Sequence, residues 1–389
     1  MANIISSNVL AVPHSSIRKM FNIASKLDGV INFGIGEPDF DTPGNILEAA
    51  KRAMDEGYTH YTANAGLIEL REAIARKLER DNGIKADPVN GIIVTSGGMG
   101  ALSLAMLTLV EKNDEVILPD PSWCNYTSHV ILAGGKPVYV PLREENGFML
   151  TAEDIEQRIT PKSKVLLINS PANPTGAVIN RDEMHKIAKL VKEYGLFIVT
   201  DEVYEKFTYD GAEHFSIASI SSVADRTILI NSFSKSYAMT GWRVGFAAGN
   251  SEIIGQMTKL QEHIVACVST VSQKAAIEAL EGPQDQLENM IEKYRARREI
   301  LIDGLNRIAG IKCSKPKGSF YAFANIKSSG ISSEEFALDL LKKKKVCLIP
   351  GTAFGESGEG YVRISYATSE ENICEGLRRI EEYMNAIDR

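Results

Sequence analysis

The stretch INSFSKSYAMTGWRVG, residues 230–245, places a lone lysine, Lys235, between two serines shortly after an apolar run. Residues 228–230 are typical of the end of a buried strand, and open α/β sheets hold ligands and reactive groups just beyond such ends. Arg243 follows eight residues after Lys235, so a cation with bidentate geometry lies close in sequence to the lysine. These residues indicate an anion site, although most isolated lysines and arginines are solvated surface charges.

The pattern S-x-S-K-x-x-x-M-x-G-x-R-x-G, residues 232–245, resembles the lysine segment of the class I/II aminotransferases, fold type I enzymes that use pyridoxal 5′-phosphate. The resemblance implies that Lys235 forms an imine with the cofactor aldehyde. It also implies that Ser232, Ser234 and Arg243 bind the cofactor phosphate. A lysine in this role needs a lowered pKa, which a neighbouring cation and partial desolvation favour.

Alternating strand and helix patterns predict an α/β fold. Apolar runs typical of strands lie at residues 92–95, 115–119, 164–168, 196–204, 228–230 and 244–248. Helices between them, and long helices expected over 251–281 and 284–309, predict a mostly parallel sheet covered on both faces. Further strands expected at 317–323, 346–349 and 361–366, with a last helix at 370–384, predict a smaller α+β domain. This architecture agrees with the fold type I transferase that the resemblance implies.

A length of 389 residues with 44% hydrophobic content predicts two domains. We expect a large cofactor-binding domain at 46–282, ending at a Gly-Pro break, and an N-terminal arm plus small domain at 1–45 and 283–389. The chain has a net charge of −7, and its sequence shows no basic patch, which argues against nucleic acid and membrane partners. The lysine run 342–345 is interpreted as a solvated helix end.

The chain lacks an apolar run of the roughly 18 residues that a membrane span needs, and its start lacks the pattern of a secretory signal. A cytoplasmic location is therefore expected. Five cysteines are scattered without paired spacing, so the sequence predicts neither a metal site nor a disulfide framework.

Two N-terminal motifs also resemble the family. The loop GIGEPDF, residues 34–40, implies that the amide of Gly36 approaches the substrate carboxylate, although on its own it is an ordinary turn signal. The pattern Y-x-x-x-x-G-x-x-x-L-R begins at Tyr61, which in the family bonds the cofactor phosphate in the neighbouring subunit. A homodimer with shared active sites follows from that role, although Tyr61 alone is equally compatible with a packing role.

A glycine turn and an aromatic residue extend the implied cofactor site. The turn SGGMG, residues 96–100, separates a strand from a helix, and such a junction presents free amides to an anion. The resemblance assigns the amides of Gly98 and Met99 to the phosphate. It places Trp123 over the pyridine ring, where a packing role is the alternative.

Two motifs follow predicted strands and complete the ring contacts. In NPTG, residues 173–176, the resemblance implies that Asn173 donates to the phenolate oxygen of the cofactor and borders the substrate. In DEVY, residues 201–204, Asp201 would pair with the protonated pyridine nitrogen and Tyr204 would bond the phenolate. A carboxylate after an apolar run is costly to bury without such a positive partner.

The motif RISY begins at Arg363, which in the family clamps the substrate α-carboxylate through two parallel hydrogen bonds. Taken alone, a structural arginine with a packed stem is the better interpretation. Together with the other motifs it implies an aminotransferase that moves the α-amino group of an L-amino acid to a 2-oxo acid, expected to be 2-oxoglutarate. Lys235, once freed, would move the proton from the substrate α-carbon.

The donor is expected to be neutral or aromatic. Related aspartate aminotransferases often carry S-G-G-K in the glycine turn, and the lysine there pairs with the distal carboxylate, whereas this chain has Met99. An aspartate aminotransferase and a cofactor-dependent carbon–sulfur β-lyase remain alternatives. A regulator would need an extra DNA-binding domain, and a nucleotide-binding module is disfavoured because G-x-G-x-x-G does not follow a strand.

Overall fold

The computed structural model describes residues 5–387, in which the chain folds around a seven-stranded sheet. The strands are β1 Ile31–Asn32, β2 Ile92–Thr95, β3 Glu115–Asp120, β4 Lys136–Pro141, β5 Ser163–Asn169, β6 Phe197–Asp201, β7 Thr227–Ser232, β8 Gly245–Ala248, β9 Tyr321–Asn325, β10 Val346–Cys347, β11 Ile349–Pro350 and β12 Tyr361–Ser365. The large sheet has the order β2-β8-β7-β6-β5-β3-β4. Only β8 runs antiparallel to its neighbours, so the predicted mostly parallel sheet is confirmed.

Helices cover both faces of the large sheet and surround the smaller ones. They are α1 Ser7–Ala11, α2 Ser16–Ala24, α3 Gly44–Asp55, α4 Ile68–Asn82, α5 Gly97–Leu109, α6 Asn125–Leu132, α7 Ala152–Glu156, α8 Arg181–Tyr194, α9 Phe233–Ser236, α10 Ser251–Ile264, α11 Thr270–Glu281, α12 Asp285–Arg307, α13 Ser333–Lys344 and α14 Glu370–Ile387. The fold is the predicted α/β class.

Alternating apolar residues on the strands build a separate core on each face of the large sheet. Ile93 and Val199 pack with residues of α5, α6 and α10 on one face. Their neighbours Ile92 and Ile198 join the core on the other face, which continues into the small sheet. This two-residue alternation follows from the pleat of a strand, and burial on both faces explains the nearly unbroken apolar runs in the sequence.

The small sheet has the order β11-β12-β9 and is antiparallel. Its strands come from the part of the chain after residue 283, and those of the large sheet come from 92–248. The domain boundaries that the sequence suggested remain a prediction, and residues 1–4 and 388–389 of the second unit lie outside the described range. Within residues 5–387, the chain lacks a helix long and apolar enough to cross a membrane.

The structure corrects several expected elements. Residues 251–281 form two helices, because the chain breaks at 265–269 and Ser269 caps the second helix by accepting from the amide of Ser272. Residues 346–349 divide between β10, which pairs with β1, and β11 in the small sheet. The strand expected over 196–204 ends at Asp201, and the edge strand β4 was not predicted.

The lysine run 342–345 ends a helix, as predicted, and Lys343 pairs with Asp339 there.

Candidate active site

One cavity of about 520 Å³ opens where the parallel strands of the large sheet end. Every predicted site residue except Tyr61 lines it: Gly36, Gly98, Met99, Trp123, Asn173, Asp201, Tyr204, Ser232, Ser234, Lys235, Arg243 and Arg363. Most of these follow the carboxyl ends of β2, β3, β5, β6 and β7, the edge at which open α/β sheets place their ligands. The cavity therefore unites segments that are far apart in the sequence.

Lys235 lies in the four-residue helix α9 directly after β7. Its Nζ donates to the carbonyl oxygen of Gly36 over 2.5 Å. Burial lowers the pKa of Lys235 to about 8, and Arg363 and Arg243 add to the effect while Glu37 opposes it. A substantial fraction of the amine is therefore neutral near physiological pH, as a nucleophile or a general base requires.

Asp201 ends β6 and accepts a hydrogen bond from the hydroxyl of Tyr126 at 2.8 Å. Burial raises the pKa of Asp201 to about 6, although the Tyr126 hydrogen bond opposes the rise. A buried carboxylate of this kind is suited to a cationic partner, which would stabilise its ionised form. Tyr126 also meets the ring of Trp123 edge to face at 5.4 Å.

One end of the cavity is built to receive an anion. Helix α5 begins at Gly97, earlier than predicted, so Gly98 and Met99 lie in its first turn, where backbone amides are available. A side chain at Gly97 would be strained by its φ of 66°, and its Cβ, 2.5 Å from Nη2 of Arg243, would push the guanidinium away. Arg243 adopts a φ of 53°, a strained conformation of the kind that functional sites retain. Ser232 donates its hydroxyl to that of Ser234 at 2.8 Å beside them.

The opposite end carries the buried guanidinium of Arg363. Nη1 donates to Oδ1 of Asn173 at 3.1 Å, and Nη2 donates to the carbonyl oxygen of Gly34 at 2.6 Å. Its Nε has no hydrogen-bond partner among the described residues. Because the Asn173 oxygen faces Arg363, the amide nitrogen of Asn173 is left to donate into the cavity. Burial lowers the pKa of Arg363, but an arginine stays charged in a protein.

Tyr204 and Tyr321 form a hydroxyl pair at 2.9 Å that lines the same cavity. Both phenols are buried, and burial raises the pKa of each, so both are neutral, and one donates to the other within the pair. Tyr321 also limits its surroundings, since a Cβ on Gly36 would overlap the Tyr321 hydroxyl. This contact explains the glycine at position 36 in structural terms.

A buried polar cluster supports the anion end from behind. Asn231 accepts from the amide of Ser232 at 2.7 Å and donates to Glu205 at 2.9 Å. Burial opposes ionisation of Glu205, but the adjacent Lys77 outweighs it and lowers the pKa of Glu205 to about 2. Glu202 and His214 lie close enough to share a metal with Glu205, yet Lys77 already balances the charge there. That the protein binds no metal stays a prediction from the sequence.

Tyr61 lies away from this cavity and is 90% exposed. Its segment is tied to the break between α10 and α11, since Thr270 donates to the carbonyl of His60 at 2.6 Å and Asn64 donates to that of Ala266 at 3.0 Å. The single chain does not bring Tyr61 into the site.

Sequence reasoning missed several cavity residues. Tyr126 lies three residues after Trp123, and the family motif assigns a role to only one aromatic residue in that segment. Tyr321 lies in the run 317–323, whose pattern predicts a strand but assigns no role to this tyrosine. Arg18 and Phe21 of α2 also line the cavity. Helical spacing could have placed Arg18 and Phe21 on one face of α2, but only the fold brings that face to the site.

Comparison with known proteins identifies the family. The sequence model of the family "Aminotransferase class I and II" matches residues 28–380. The chain is 46% identical over 382 residues to aromatic-amino-acid aminotransferase 2 of Thermococcus litoralis, covering 98% of each chain.

The chain belongs to the class I and II aminotransferases.

Two further similar proteins carry the names of aminotransferases with different substrates. This aminotransferase is 46% identical over 380 residues to an aspartate aminotransferase of Pyrococcus horikoshii, covering 97% of this chain and 96% of the other. The crystal structure of an aromatic aminotransferase from Pyrococcus horikoshii OT3 superposes with a TM-score of 0.91 at 45% identity, covering 95% and 99% of the two chains. The predicted family, fold and enzyme class are confirmed, and an aminotransferase of this class uses pyridoxal 5′-phosphate.

The cavity fits that cofactor on its own chemistry. The amine of Lys235, with its lowered pKa, suits the cofactor aldehyde, and the buried carboxylate of Asp201 suits the ring nitrogen. The anion end, which consists of a helix start, two serines and an arginine, suits the phosphate.

Proposed function

We propose that this aminotransferase moves the α-amino group of a neutral or aromatic L-amino acid to 2-oxoglutarate. The single observation that carries the donor class is Met99, which lines the cavity in the first turn of α5. Its sulfur lies 3.4 Å from Nδ2 of Asn125, which also lines the cavity. Met99 therefore offers a thioether at the position where related aspartate aminotransferases often carry a lysine.

The substrate α-carboxylate is assigned to Arg363, whose position beside Asn173 and Gly34 holds the guanidinium in one orientation. Gly36 lies beside Lys235 in the cavity lining, since its carbonyl oxygen accepts a hydrogen bond from Nζ of that lysine. A substrate held there by two parallel hydrogen bonds would present its α-carbon to the Lys235 amine. Arg363 and Lys235 thus account for binding and for the reacting base.

When bound, pyridoxal phosphate supplies an electron sink for the charge that develops at the substrate α-carbon. The amine of Lys235, whose pKa is lowered by burial, would be the base that takes the proton from that carbon and holds it for return to the bound molecule. Asp201 would pair with the protonated ring nitrogen of the cofactor, and Tyr126 holds the Asp201 carboxylate in place. Asn173 and Tyr204, which line the cavity, would donate to the phenolate oxygen, and Trp123 would cover the ring.

The phosphate is assigned to Gly98, Met99, Ser232, Ser234 and Arg243, which border the anion end of the cavity. Hydroxyls, first-turn amides and a guanidinium together provide the donors that a dianionic phosphate needs.

The donor class follows from the energy of one lost contact. A charge-assisted hydrogen bond contributes about 1.5–3 kcal/mol, so the absence of a lysine at position 99 should weaken aspartate by about ten- to a hundredfold. A methionine is apolar and flexible, and its sulfur makes favourable contacts with aromatic rings. These two effects favour neutral and aromatic side chains.

A homodimer with shared sites is the proposed assembly. Tyr61 is 90% exposed, and Ile264 and Val265, which lie at the break that contacts its segment, are 57% and 47% exposed. An exposed group of large apolar side chains is typical of a protein contact surface. In a dimer, Tyr61 would donate to the cofactor phosphate in the partner's cavity.

The cytoplasm is the proposed location, and it is supported by the five cysteines, which are free thiols as expected in a reducing compartment.

We also propose that the chain divides into a large domain at 46–282 and a small domain formed from 1–45 and 283–389.

A panel of amino donors tests the proposal. We expect kcat/KM with 2-oxoglutarate to be higher for phenylalanine, leucine or methionine than for aspartate. Met99→Lys should raise the value for aspartate by about tenfold or more, because it restores the ion pair. Met99→Leu is the matched control and should leave aspartate poor. The proposal is wrong if wild type prefers aspartate and Met99→Lys gains nothing on it.

A further inference from the structure

Tyr321 contacts two groups of the proposed function without a role of its own there. It begins β9, is 1% exposed and borders the cavity. Its ring lies beside the guanidinium of Arg363, and its hydroxyl meets that of Tyr204. The proposed function assigns the substrate α-carboxylate to Arg363 and the phenolate oxygen of the cofactor to Tyr204. Tyr321 therefore links the residue that would hold the substrate with a residue that would hold the cofactor ring.

The pairing of β9 with β12 explains why Tyr321 meets Arg363. Tyr321 lies opposite Ser365, and Phe323 lies opposite Arg363. Residues two apart on a strand share a face, so Tyr321 and Arg363 are diagonal neighbours on one face of the small sheet, within reach of long side chains. The centre of the Tyr321 ring lies 4.5 Å from Cζ of Arg363. At this distance a guanidinium is attracted to the aromatic ring, and burial strengthens the attraction.

The contacts of Arg363 leave hydrogens for a carboxylate. Nη1 and Nη2 carry two hydrogens each, and each nitrogen donates to one acceptor, Asn173 or Gly34. One hydrogen on each nitrogen is left for two parallel bonds to a carboxylate. The ring of Phe354, 4.9 Å from Cζ, is a second aromatic contact, beside that of Tyr321. The two rings and the two acceptors fix the guanidinium before a substrate binds.

The hydroxyl pair acquires a direction when the cofactor is bound. Tyr204 has one hydroxyl proton, and the proposed function requires that proton at the phenolate oxygen. Among the residues that the structure describes, the Tyr321 hydroxyl has a hydrogen bond only with Tyr204, at 2.9 Å. Since a buried hydroxyl proton without an acceptor is costly, Tyr321 should donate to the Tyr204 oxygen. This bond would orient the Tyr204 hydroxyl and strengthen its own donation, because hydrogen bonds in a chain polarise one another.

We infer that Tyr321 is a positioning residue for both groups: its ring fixes the guanidinium of Arg363, and its hydroxyl directs the Tyr204 proton towards the cofactor. This inference rests on the proposed function and deepens it. The ring acts on Arg363 and the hydroxyl acts on Tyr204, so the two effects should be separable by substitution.

Tyr321→Phe and Tyr321→Leu separate the two contacts. In the loaded enzyme, the pH midpoint of the visible absorption change reports how well the phenolate is stabilised, because a donor to the ionised form lowers a pKa. Tyr321→Phe should raise this midpoint by about 0.3 to 0.5 pH unit. It should leave the dissociation constant of 3-phenylpropanoate, measured by calorimetry, within about threefold of wild type. Tyr321→Leu should raise the midpoint similarly and weaken 3-phenylpropanoate about tenfold.

A double variant shows whether the hydroxyl acts through Tyr204. Tyr204→Phe should raise the midpoint by more than Tyr321→Phe does, and adding Tyr321→Phe to it should change the midpoint no further. A merely structural role would move the midpoint equally in both backgrounds. The matched control is Tyr361→Phe, which removes a hydroxyl from the same face of the small sheet outside the cavity lining. It should change neither the midpoint nor the affinity for 3-phenylpropanoate.

The outcomes distinguish this inference from the proposed function. An unchanged midpoint in Tyr321→Phe, an equal rise in the Tyr204→Phe background, or unweakened 3-phenylpropanoate in Tyr321→Leu would overturn the inference alone. An unchanged midpoint in Tyr204→Phe would refute the role of Tyr204 in the proposed function, and the inference with it. Both measurements are made without turnover, so they remain decisive whichever amino donor the enzyme prefers.

Discussion

Tyr126 donates its hydroxyl proton to Oδ2 of Asp201 over 2.8 Å, and both side chains are buried. Burial raises the pKa of Asp201 to about 6 despite this hydrogen bond. The cavity therefore holds a carboxylate whose ionised form is not fully stabilised by the chain alone. A protonated ring nitrogen would supply the missing charge, so cofactor binding and Asp201 ionisation should reinforce one another.

Asp201→Asn should affect the apoprotein and the loaded enzyme in opposite directions. The folded-state pKa of Asp201 is raised, so the folded apoprotein binds more protons than the unfolded chain between about pH 4 and 6. Its stability therefore falls as pH rises through that window. At pH 8, Asp201→Asn should raise the apoprotein's free energy of unfolding by up to about 3 kcal/mol, and it should weaken cofactor binding and slow transamination.

Denaturant titrations of both proteins at pH 4.5 and pH 8 measure the first effect, and cofactor titration measures the second. The exposed Asp225→Asn is the control and should change neither quantity. An Asp201→Asn variant that is less stable than wild type as apoprotein at pH 8, or that transaminates normally, would contradict this role.

Lys235 in the apoprotein should react with amine reagents at a lower pH than an ordinary lysine. Its pKa is about 8 because of burial, compared with about 10.4 for a lysine in an unstructured peptide. Only the neutral amine reacts, so labelling should increase about tenfold per pH unit below 8 and level off above it. Peptide mass spectrometry after timed labelling with a small acylating reagent provides the measurement, and a lysine-containing model peptide provides the control. A midpoint near pH 10 would show that the site does not activate this amine.

Tyr61 should act across a dimer interface. Tyr61→Phe should lower cofactor affinity, because a phosphate hydrogen bond is lost, while leaving each chain's own cavity intact. Mixing it with Lys235→Ala in equal amounts places an intact Tyr61 beside an intact Lys235 only in hybrid dimers. Roughly half of the Lys235-containing sites should then regain wild-type affinity.

Cofactor titration of the exchanged mixture checks this, with unmixed proteins as the controls. Affinity that stays at the Tyr61→Phe value after subunit exchange, or a monomer by sedimentation at working concentration, would argue against a shared site.

The parallel sheet could be predicted from the sequence because burial on both faces forces continuous apolar strands such as β5 and β7. Asp201 and Lys235 could be placed at strand ends by the same pattern. The two-residue strands β10 and β11 could not be predicted in this way, because each is defined by the strand with which it pairs rather than by its own residues.

Other misses have tertiary causes. Residues 251–281 keep helical apolar spacing throughout, but Gln261 donates to the carbonyls of Asn64 and Val94 and fixes the chain just before the break. The Tyr204–Tyr321 hydroxyl pair joins residues 117 positions apart, and pattern reasoning along the chain cannot bring them together. The same holds for Arg18, which α2 carries to a cavity built mainly from residues after position 95.

The measurement that tests the central claim most directly is the identity of the lysine that holds the cofactor. Reducing the loaded enzyme with borohydride, digesting it and sequencing the peptides by mass spectrometry locates the covalently fixed pyridoxyl group. The cavity geometry predicts the added mass on Lys235 alone, and a Lys235→Ala protein treated in the same way should carry none. Modification of a different lysine, or equal labelling of the Lys235→Ala protein, would contradict the assignment of this cavity as the active site.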